Sequence, residues 1–291
     1  MLELKSGASV LRLLPECGGA VASWQRHGVD VLHPVSDPNL IAQHERPVAA
    51  YSLIPFSNRV GYGRFTFDGK HFQLAPNFGG EPHAIHGNAW EREWRVAEAQ
   101  ADRAVLTLDH QEPASEWPFH YQASVTFALT EDTLTVTMHV ENTDPRAQPV
   151  GLGFHPFFPR TADTELGFKA DGVWKAGADA LPEARLAVEG DWRFDPVRPI
   201  AAAALDNCYT GWTREAELRW PSRGTGLRIT ASEPFGHLVV YTPPGRSYLA
   251  VEPVSNMTDA VNRMDIADNG LRVLQSGESL EATVVLSLFT L

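Results

Sequence analysis

The length, composition and charge of the chain exclude several classes of protein. Its 291 residues are 43% hydrophobic and 21% charged, with a net charge of −12 at pH 7, which is typical of a soluble globular protein. The excess of acidic residues argues against a nucleic acid or an anionic membrane surface as the partner. No stretch of the sequence approaches the roughly 18 consecutive apolar residues of a membrane span.

The N-terminus and the cysteines favour a reducing compartment. Residues 1–7 lack the basic start, apolar run and cleavage site of a secretory signal. Cys17 and Cys208 show no metal-like or CxxC spacing, and they fit two reduced thiols better than a disulfide framework. We therefore expect a cytoplasmic protein.

Segments with an apolar residue at every second position recur along the chain and predict β-strands. The clearest is Thr133–Val140, which follows Ser124–Leu129 as the second strand of a hairpin. Similar runs are Val10–Leu14, Ala104–Leu108, Glu217–Trp220, Leu227–Thr230, Leu271–Leu274 and Thr283–Leu288. Helical patterns are scarce, and only Ala201–Leu205 could form a short helical turn. We predict an all-β fold, a large antiparallel β-sandwich or barrel, as a single domain over residues 1–291.

Three long stretches without a clear strand pattern interrupt this series. They lie at about residues 33–60, 75–95 and 155–200. Connections in compact domains are usually shorter, and long ones often carry function. We expect these stretches to form binding or active-site loops.

An acidic residue stands out in the segment Ser247–Asn256. If the segment is a strand, Tyr248, Ala250 and Glu252 share one face, because side chains alternate across the pleat. The preceding run His237–Thr242 would pair with it as a hairpin. An unpaired acid in a dry core is costly, so Glu252 either faces a polar cleft, caps the strand end or pairs with an arginine.

A histidine is presented beside two glycines in Pro149–Phe158. In a strand, Gly151, Gly153 and His155 share one face. Glycine weakens a strand and often marks a bend or the close approach of a ligand or another backbone. Both a kink with a half-buried histidine and a catalytic histidine stay open from the residues alone.

Other polar residues could bind a ligand. His83 and His86 are three residues apart, but no further ligands at a recognisable spacing support a metal site, so we predict none. In a loop, they suit hydrogen bonds to hydroxyl or ether oxygens. Asn58 and Arg59 follow an apolar run, and arginine offers a rigid fork of donors for hydroxyls or a carboxylate.

Asp206 and Trp212 offer an acceptor and an aromatic plane in nearby positions. This combination suits a polyol, whose hydroxyls need acceptors and whose C–H face stacks on a ring. It also suits an ordinary turn. We take Asp206 and Trp212, with Trp90 as an alternative ring, as candidate sugar-binding residues.

Five motifs, taken together, resemble those of the aldose 1-epimerases, the galactose mutarotase-like family. They are Pro55–Arg59, His83–Gly87, Gly153–Phe158, Leu205–Asn207 and Val251–Pro253, in the family's order and approximate spacing. Gly18–Trp24 is similar to the family's N-terminal strand turn, so the resemblance runs from about residue 15 to about residue 260. The set of five motifs is more specific for the superfamily than for any one substrate.

The resemblance implies a galactose mutarotase-like supersandwich with a sugar in an open cleft and no cofactor. On this mapping Glu252 matches the family's general base and His155 its general acid. His86 matches the second active-site histidine, while Arg59 and Asp206 match residues that hold the sugar hydroxyls.

The residue types also suit ring opening of a cyclic hemiacetal. A base removes the proton of the anomeric hydroxyl while an acid protonates the ring oxygen, and each contributes roughly 10²–10⁴-fold. His155 must carry a proton near neutral pH to begin as the acid. Its ordinary pKa of about 6.5 makes this attainable with help from nearby carboxylates.

One departure from the family bears on the substrate. Many galactose mutarotases carry a tyrosine two residues after the acid histidine, whereas this chain has Phe157, which has no hydroxyl to donate.

The candidates for binding a phosphate are Arg64, Arg160, Arg246 and Arg263. No cluster of basic residues is visible among them, so a neutral aldose is favoured over a sugar phosphate.

Other functions stay open from the sequence. The leading hypothesis is a cofactor-independent aldose 1-epimerase acting on a free hexose or pentose. A sugar-phosphate 1-epimerase and a non-catalytic carbohydrate-binding or sensing protein are alternatives. A glycosidase would use two carboxylates, with Asp206 as the partner of Glu252, and the absence of a Gly-x-Ser-x-Gly elbow counts against an α/β-hydrolase.

Overall fold

The computed structural model describes residues 1–36, 40, 46–111 and 114–291, and its regular structure is almost entirely β-strand. The strands are β1 (Leu2–Ser6), β2 (Ser9–Leu14), β3 (Ala20–Arg26), β4 (Val29–Leu32), β5 (Ala50–Leu53), β6 (Arg59–Val60), β7 (Arg64–Phe67), β8 (Lys70–Gln73), β9 (Ala84–Ile85), β10 (Arg95–Ala99), β11 (Arg103–His110), β12 (Tyr121–Leu129), β13 (Thr133–Asn142), β14 (Gln148–Val150), β15 (Gly153–Pro159), β16 (Glu165–Phe168), β17 (Gly172–Ala176), β18 (Pro182–Leu186), β19 (Arg198–Pro199), β20 (Asp206–Thr210), β21 (Glu215–Trp220), β22 (Thr225–Ala231), β23 (His237–Tyr241), β24 (Tyr248–Val254), β25 (Arg272–Leu274) and β26 (Ser279–Thr290). Short 3-10 helices cover Gly61–Gly63, Ala89–Glu91, Gly190–Trp192, Pro221–Arg223 and Ala260–Asn262. The predicted all-β class is confirmed.

Two large antiparallel sheets hold most of the described strands. An 11-stranded sheet runs β1-β2-β3-β5-β15-β24-β23-β20-β17-β18, with β4 also paired to β3. A 9-stranded sheet runs β10-β11-β12-β13-β26-β22-β21-β16-β19. Three two-stranded ribbons, β14-β25, β6-β9 and β7-β8, complete the set among the residues described.

The two sheets share one apolar core. Leu134, Val136 and Met138 of β13 are fully buried, alternate with half-buried neighbours, and join Leu11 of β2 and Val251 of β24 in a single cluster. Burying such a side chain stabilises the fold by about 1.5–3 kcal/mol. The common cluster between the sheets is that of a β-sandwich, as the sequence predicts.

Both predicted hairpins are present. β12 and β13 pair from Tyr121 with Asn142 to Leu129 with Leu134, and β23 and β24 pair in antiparallel register. The segment 201–205 forms a turn, in which the N–H of Ala203 donates to the carbonyl of Ile200.

The prediction of long loops is only partly right. Residues 155–200 contain most of β15 and all of β16 to β19, so that prediction is wrong. These strands are short and broken by glycine and proline, which hides their alternation. Residues 75–95 are mostly irregular. Of the stretch 33–60, residues 37–39 and 41–45 lie outside the described part of the chain, and β5 and β6 fall within the rest.

Two smaller predictions concern the cysteines and the membrane. Neither Cys17 nor Cys208 forms a disulfide bond in the described part of the chain, in agreement with the expectation of two thiols. None of the helices described is long and apolar enough to cross a membrane.

Strand β24 separates the core from a second apolar layer. Leu249 and Val251 point into the core between the sheets, whereas Tyr248 and Ala250 belong to a second cluster on the other face of the 11-stranded sheet. This confirms the alternation predicted for Ser247–Asn256. Glu252, two residues beyond Ala250, therefore lies on the face that points away from the 9-stranded sheet.

Candidate active site

A cavity of about 320 Å³ lies on this outer face of the 11-stranded sheet. Its volume is at the lower end of the range for ligand pockets, roughly 300–1,000 Å³. Neighbouring strands supply much of its lining, namely Tyr51 of β5, His155 and Phe157 of β15, Tyr248 and Glu252 of β24, Tyr241 of β23 and Asp206 of β20. Asn58, Arg59 and His86, which lie in or next to the β6-β9 ribbon, complete the polar part. Six of the seven residues predicted for the site thus meet in one cavity.

The register of β15 on β24 brings the predicted acid and base together. Gly153 pairs with Val254 and Phe157 with Ala250, which sets His155 opposite Glu252. The Nε2 atom of His155 lies 3.2 Å from the Oε1 atom of Glu252, and both side chains are buried. Two residues almost a hundred positions apart in the chain are thereby in direct contact.

Burial moves the pKa values of this pair in opposite directions. It raises the pKa of Glu252 well above its usual range and lowers the pKa of His155 from 6.5 to about 3. The neutral carboxylic acid and the neutral imidazole are therefore the favoured forms. This corrects the expectation that His155, with help from nearby carboxylates, carries a proton near neutral pH.

One polar atom on each partner has no hydrogen bond within the described structure. These atoms are Oε2 of Glu252 and Nδ1 of His155, and both are buried. An unsatisfied buried polar group costs about 1–3 kcal/mol. A polar ligand in the cavity could recover part of this cost.

Aromatic rings hold the imidazole of His155 in place. Tyr51 stacks on it at 4.7 Å between ring centroids and 22° between planes, and the ring of Phe157 lies 4.6 Å away. The ring of His86 meets it edge-on at 5.3 Å. Packing on several sides fixes the orientation of the Nε2 atom towards Glu252.

His86 is arranged to donate a hydrogen bond to a ligand. Its Nδ1 atom accepts the backbone N–H of Asn58 at 3.2 Å, and its own backbone N–H donates to the carbonyl of Asn58 at 2.9 Å. Burial holds the pKa of His86 well below its usual range, so the ring is neutral. A neutral ring that accepts at Nδ1 carries its proton on Nε2.

The backbone at Gly87 sets the position of His86. Gly87 has a φ of +69°, and a Cβ atom there would lie 2.0 Å from the carbonyl oxygen of Ile54. We expect Gly87→Ala to lower the free energy of unfolding by roughly 1–3 kcal/mol through this overlap and the backbone strain, as measured by chemical denaturation. Gly28→Ala is the matched control, because Gly28 has a φ of +75° and no atom within 4 Å. Equal losses in the two variants would contradict the role of the overlap.

Arg59 lies in a network of acidic partners. Its Nη2 and Nε atoms donate to the two carboxylate oxygens of Glu81 at 2.9 and 3.2 Å. Its Nη2 atom is also 3.6 Å from Oδ2 of Asp206, and its Nη1 atom donates to Oδ1 of Asn58 at 3.4 Å. Burial opposes the charge of Arg59, but these carboxylates outweigh burial and raise its pKa. The side chain is thus a fixed cation at the edge of the cavity.

The structure does not bring Trp212 to the cavity, so its predicted sugar-stacking role is wrong. The indole is 2% exposed in the core between the sheets, and its Nε1 atom donates to the carbonyl of Glu215 at 2.9 Å. A ring buried there cannot stack on a ligand in the cavity. Trp90 is also buried and packs against Tyr51, with ring centroids 5.6 Å apart.

His83 has hydrogen-bond partners within the protein. Its Nδ1 atom accepts the backbone N–H of Tyr62 at 2.8 Å, and its Nε2 atom lies 2.9 Å from the carbonyl oxygen of Asp179. Among the residues that the structure covers, no group of three or more His, Cys, Asp or Glu side chains is placed to hold a metal ion.

The two glycines before His155 make room for neighbouring side chains. A Cβ atom on Gly151 would lie 2.0 Å from Oδ1 of Asn256, and one on Gly153 would lie 2.8 Å from Leu53. Of the explanations open from the sequence, close packing of the protein itself accounts for both glycines.

Several residues of the cavity were missed from the sequence. Tyr51 and Tyr241 lie on strands next to the His155–Glu252 pair, and Glu81 holds Arg59. The alternation of side chains along the strand, which predicts the face of Glu252, also predicts that Tyr248 lies on the same face. Nothing in the sequence indicates the pairing of Glu81 with Arg59, because Glu81 lies in an irregular segment 22 residues from Arg59.

A larger cavity of about 680 Å³ adjoins the first and shares Phe78 and Glu81 with it. Its lining includes the Glu91 and Glu116 carboxyl groups and Arg92. The His155–Glu252 pair lies in the smaller cavity, which is therefore the candidate active site.

The chain is similar in sequence to proteins of Escherichia coli K12. The chain is 28% identical over 277 residues to the uncharacterized protein YphB of Escherichia coli K12, a match that covers 90% of each protein. It is 26% identical over 160 residues to the aldose 1-epimerase of the same organism, covering 53% of this chain and 43% of that enzyme.

Solved structures show the same fold. A candidate aldose 1-epimerase from Escherichia coli K12 superposes with a TM-score of 0.90 at 27% identity, covering 100% of this chain and 99% of the other. The galactose 1-epimerase of Lactobacillus acidophilus NCFM has a TM-score of 0.80 at 17% identity, with coverage of 99% and 93%, and shows a likeness of fold alone. A model of the family described as aldose 1-epimerase matches residues 1–287. The chain therefore belongs to the aldose 1-epimerase family.

Proposed function

We propose that the protein is a cofactor-independent mutarotase, which interconverts the α and β anomers of a free hexose or pentose. The observation that carries the proposal is the contact of 3.2 Å between His155 and Glu252 inside a ligand-sized cavity. Membership of the aldose 1-epimerase family supports an epimerase activity. The substrate and the roles of the two residues are parts of the proposal.

Ring opening needs a base at the anomeric hydroxyl and an acid at the ring oxygen. The anomeric hydroxyl and the ring oxygen are both bonded to C1, so groups in contact with each other can reach both. Transfer of one proton from Glu252 to His155 across their contact creates a carboxylate and an imidazolium together. The two opposite charges of this form offset each other, which reduces the cost of burying them.

Ring opening then returns the pair to its favoured form. The Glu252 carboxylate takes the proton of the anomeric hydroxyl, the C1 oxygen becomes a carbonyl, the bond from C1 to the ring oxygen breaks, and His155 protonates that oxygen. Glu252 is now a neutral acid and His155 a neutral imidazole, the forms that burial favours. Rotation about the C1–C2 bond and reversal of the proton transfers give the other anomer.

The remaining polar residues suit the sugar's other hydroxyls. The Nε2–H of neutral His86 can donate a hydrogen bond to a sugar oxygen. Asp206 and Asn58 provide oxygens that accept from sugar hydroxyls, beside the cation of Arg59. Phe157 contributes an apolar surface in the place where many galactose mutarotases have a tyrosine. These residues hold the ring while the acid and base act at C1.

The proposal is tested by anomer exchange on freshly dissolved α-aldoses. We expect the wild-type protein to accelerate α-to-β interconversion of at least one neutral aldose, measured by polarimetry or by NMR exchange. The rate in buffer without protein is subtracted. Binding of an aldose by calorimetry without any acceleration would support the non-catalytic sugar-binding alternative and would overturn the proposal.

A further inference from the structure

The cationic group of the candidate site is already occupied by an acid. The fork formed by the Nε and Nη2 atoms of Arg59 is the part of a guanidinium that binds a carboxylate or a phosphate through two parallel hydrogen bonds. Both arms of this fork donate to Glu81, at 3.2 and 2.9 Å. A phosphate could bind this fork only by displacing Glu81.

Within the described lining of the cavity, no other lysine or arginine can take its place. Among the described residues that line it, Arg59 is the only lysine or arginine. The positions outside the described part of the chain, 37–39, 41–45 and 112–113, contain no lysine or arginine in sequence. The arginines considered as phosphate ligands, Arg64, Arg160, Arg246 and Arg263, are absent from the described lining.

The remaining charges of the cavity also disfavour an anion. Asp206 lies 3.6 Å from the Nη2 atom of Arg59, so two carboxylates face one guanidinium. The side chains of Arg59 and Glu81 are 12% and 25% exposed, which limits the screening of their charges by water. A sugar phosphate would add roughly two negative charges to the two carboxylates already in the cavity.

We infer that Glu81 is a specificity-determining residue, which occupies the fork of Arg59 and so makes the cavity select neutral aldoses over aldoses that carry a phosphate. The inference rests on the proposed mutarotase function and adds to it the residue that excludes phosphorylated sugars. Rejection through an unfavourable charge is a common means of discrimination between similar ligands. A neutral sugar keeps the Glu81–Arg59 pair intact.

The experiment compares wild type with Glu81→Gln on neutral hexoses and on the same hexoses phosphorylated at C6, which keep a free anomeric hydroxyl. The readout is the ratio of kcat/KM for the phosphorylated sugar to kcat/KM for the neutral one. We expect the ratio to be below one in wild type and to rise by about tenfold or more in Glu81→Gln, because the freed fork can make charge-assisted hydrogen bonds to phosphate. A merely structural role for Glu81 would lower both rates and leave the ratio unchanged.

Glu91→Gln is the matched control, since Glu91 lines the adjoining cavity and is absent from the lining of this one. Its ratio should equal that of wild type. Inorganic phosphate should compete with a neutral aldose in Glu81→Gln and have little effect on wild type. Glu81→Ala, with folding checked by circular dichroism, provides a second variant that frees the same fork.

The outcomes separate this inference from the proposed function. A wild-type preference for phosphorylated sugars, or an unchanged ratio in a folded Glu81 variant, would overturn the role of Glu81 and leave the mutarotase function standing. A folded wild-type protein that accelerates no anomer exchange would refute the proposed function. In that case calorimetry with inorganic phosphate decides whether Glu81 blocks the fork, since binding should be stronger to the Glu81→Gln variant.

Discussion

Glu252→Gln should lower kcat/KM for anomer interconversion by roughly 10²–10⁴-fold and leave the protein folded. Glutamine has nearly the shape of the neutral acid that burial favours, but it cannot remove a proton from the anomeric hydroxyl. Its side-chain amide can still donate a hydrogen bond to Nε2 of His155, which lies 3.2 Å from the carboxyl oxygen. The loss is measured by NMR exchange on the aldose that wild type converts fastest.

The same substitution should help stability as the pH rises. The folded-state pKa of Glu252 is raised, so its favourable contribution is present at low pH and is lost as the pH rises through that pKa. Glutamine escapes this loss. The melting temperature of Glu252→Gln relative to wild type should therefore be higher at about pH 8 than at about pH 5.

Glu281→Gln is a suitable control for both measurements. Glu281 lies on β26 in the 9-stranded sheet, is exposed, and pairs across the sheet with His139. We expect little change in activity or in melting temperature. Full activity in Glu252→Gln would remove Glu252 from the mechanism, and loss of the fold would show that its carboxyl group is needed for structure.

His155→Gln is expected to lower kcat/KM by a similar factor, roughly 10²–10⁴, and the pH profile of wild type should identify the shared proton. Catalysis needs one proton on the His155–Glu252 pair. As the pH falls towards about 3, His155 gains a second proton and no base is left. As the pH rises through the raised pKa of Glu252, the pair loses its proton and no acid is left.

The low-pH limb of the wild-type profile should thus lie well below 6.5, the ordinary pKa of histidine. We would measure kcat/KM from about pH 4 to about pH 9, with the acid- and base-catalysed rates in buffer subtracted. His139→Gln serves as the control, because His139 lies on β13 in the 9-stranded sheet. A limb centred near 6.5 that disappears in His155→Gln would show that an ordinary histidine titration governs the reaction.

Part of the site follows from the alternation of side chains along single strands, which the local sequence indicates well. The period of two across Ser247–Asn256 puts Glu252 on one face, and the same rule presents His155 beside Gly153. The mutual register of β15 and β24, which sets the two side chains opposite each other, joins segments far apart in sequence. The family resemblance supplied this pairing, and the alternation alone could not.

The errors came from properties that depend on the surroundings in three dimensions. Trp212 lies six residues after Asp206, but the chain has turned by then and its indole enters the core between the sheets. The protonation of His155 was misjudged because its burial cannot be inferred from a histidine in a glycine-rich strand. Glu81 was missed because an ion pair from an irregular segment to the two-residue strand β6 leaves no periodic pattern.

The alternation in β24 has a consequence for how relatives of this protein could diverge. Leu249 and Val251 pack in the core, while Tyr248 and Glu252 line the cavity. Neighbouring positions of the strand are therefore under different selection. A lineage could exchange Tyr248 or its cavity neighbour Tyr241 to accept a new sugar while the packing beneath stays as it was. A new preference could then evolve through single substitutions that leave the core between the sheets unchanged.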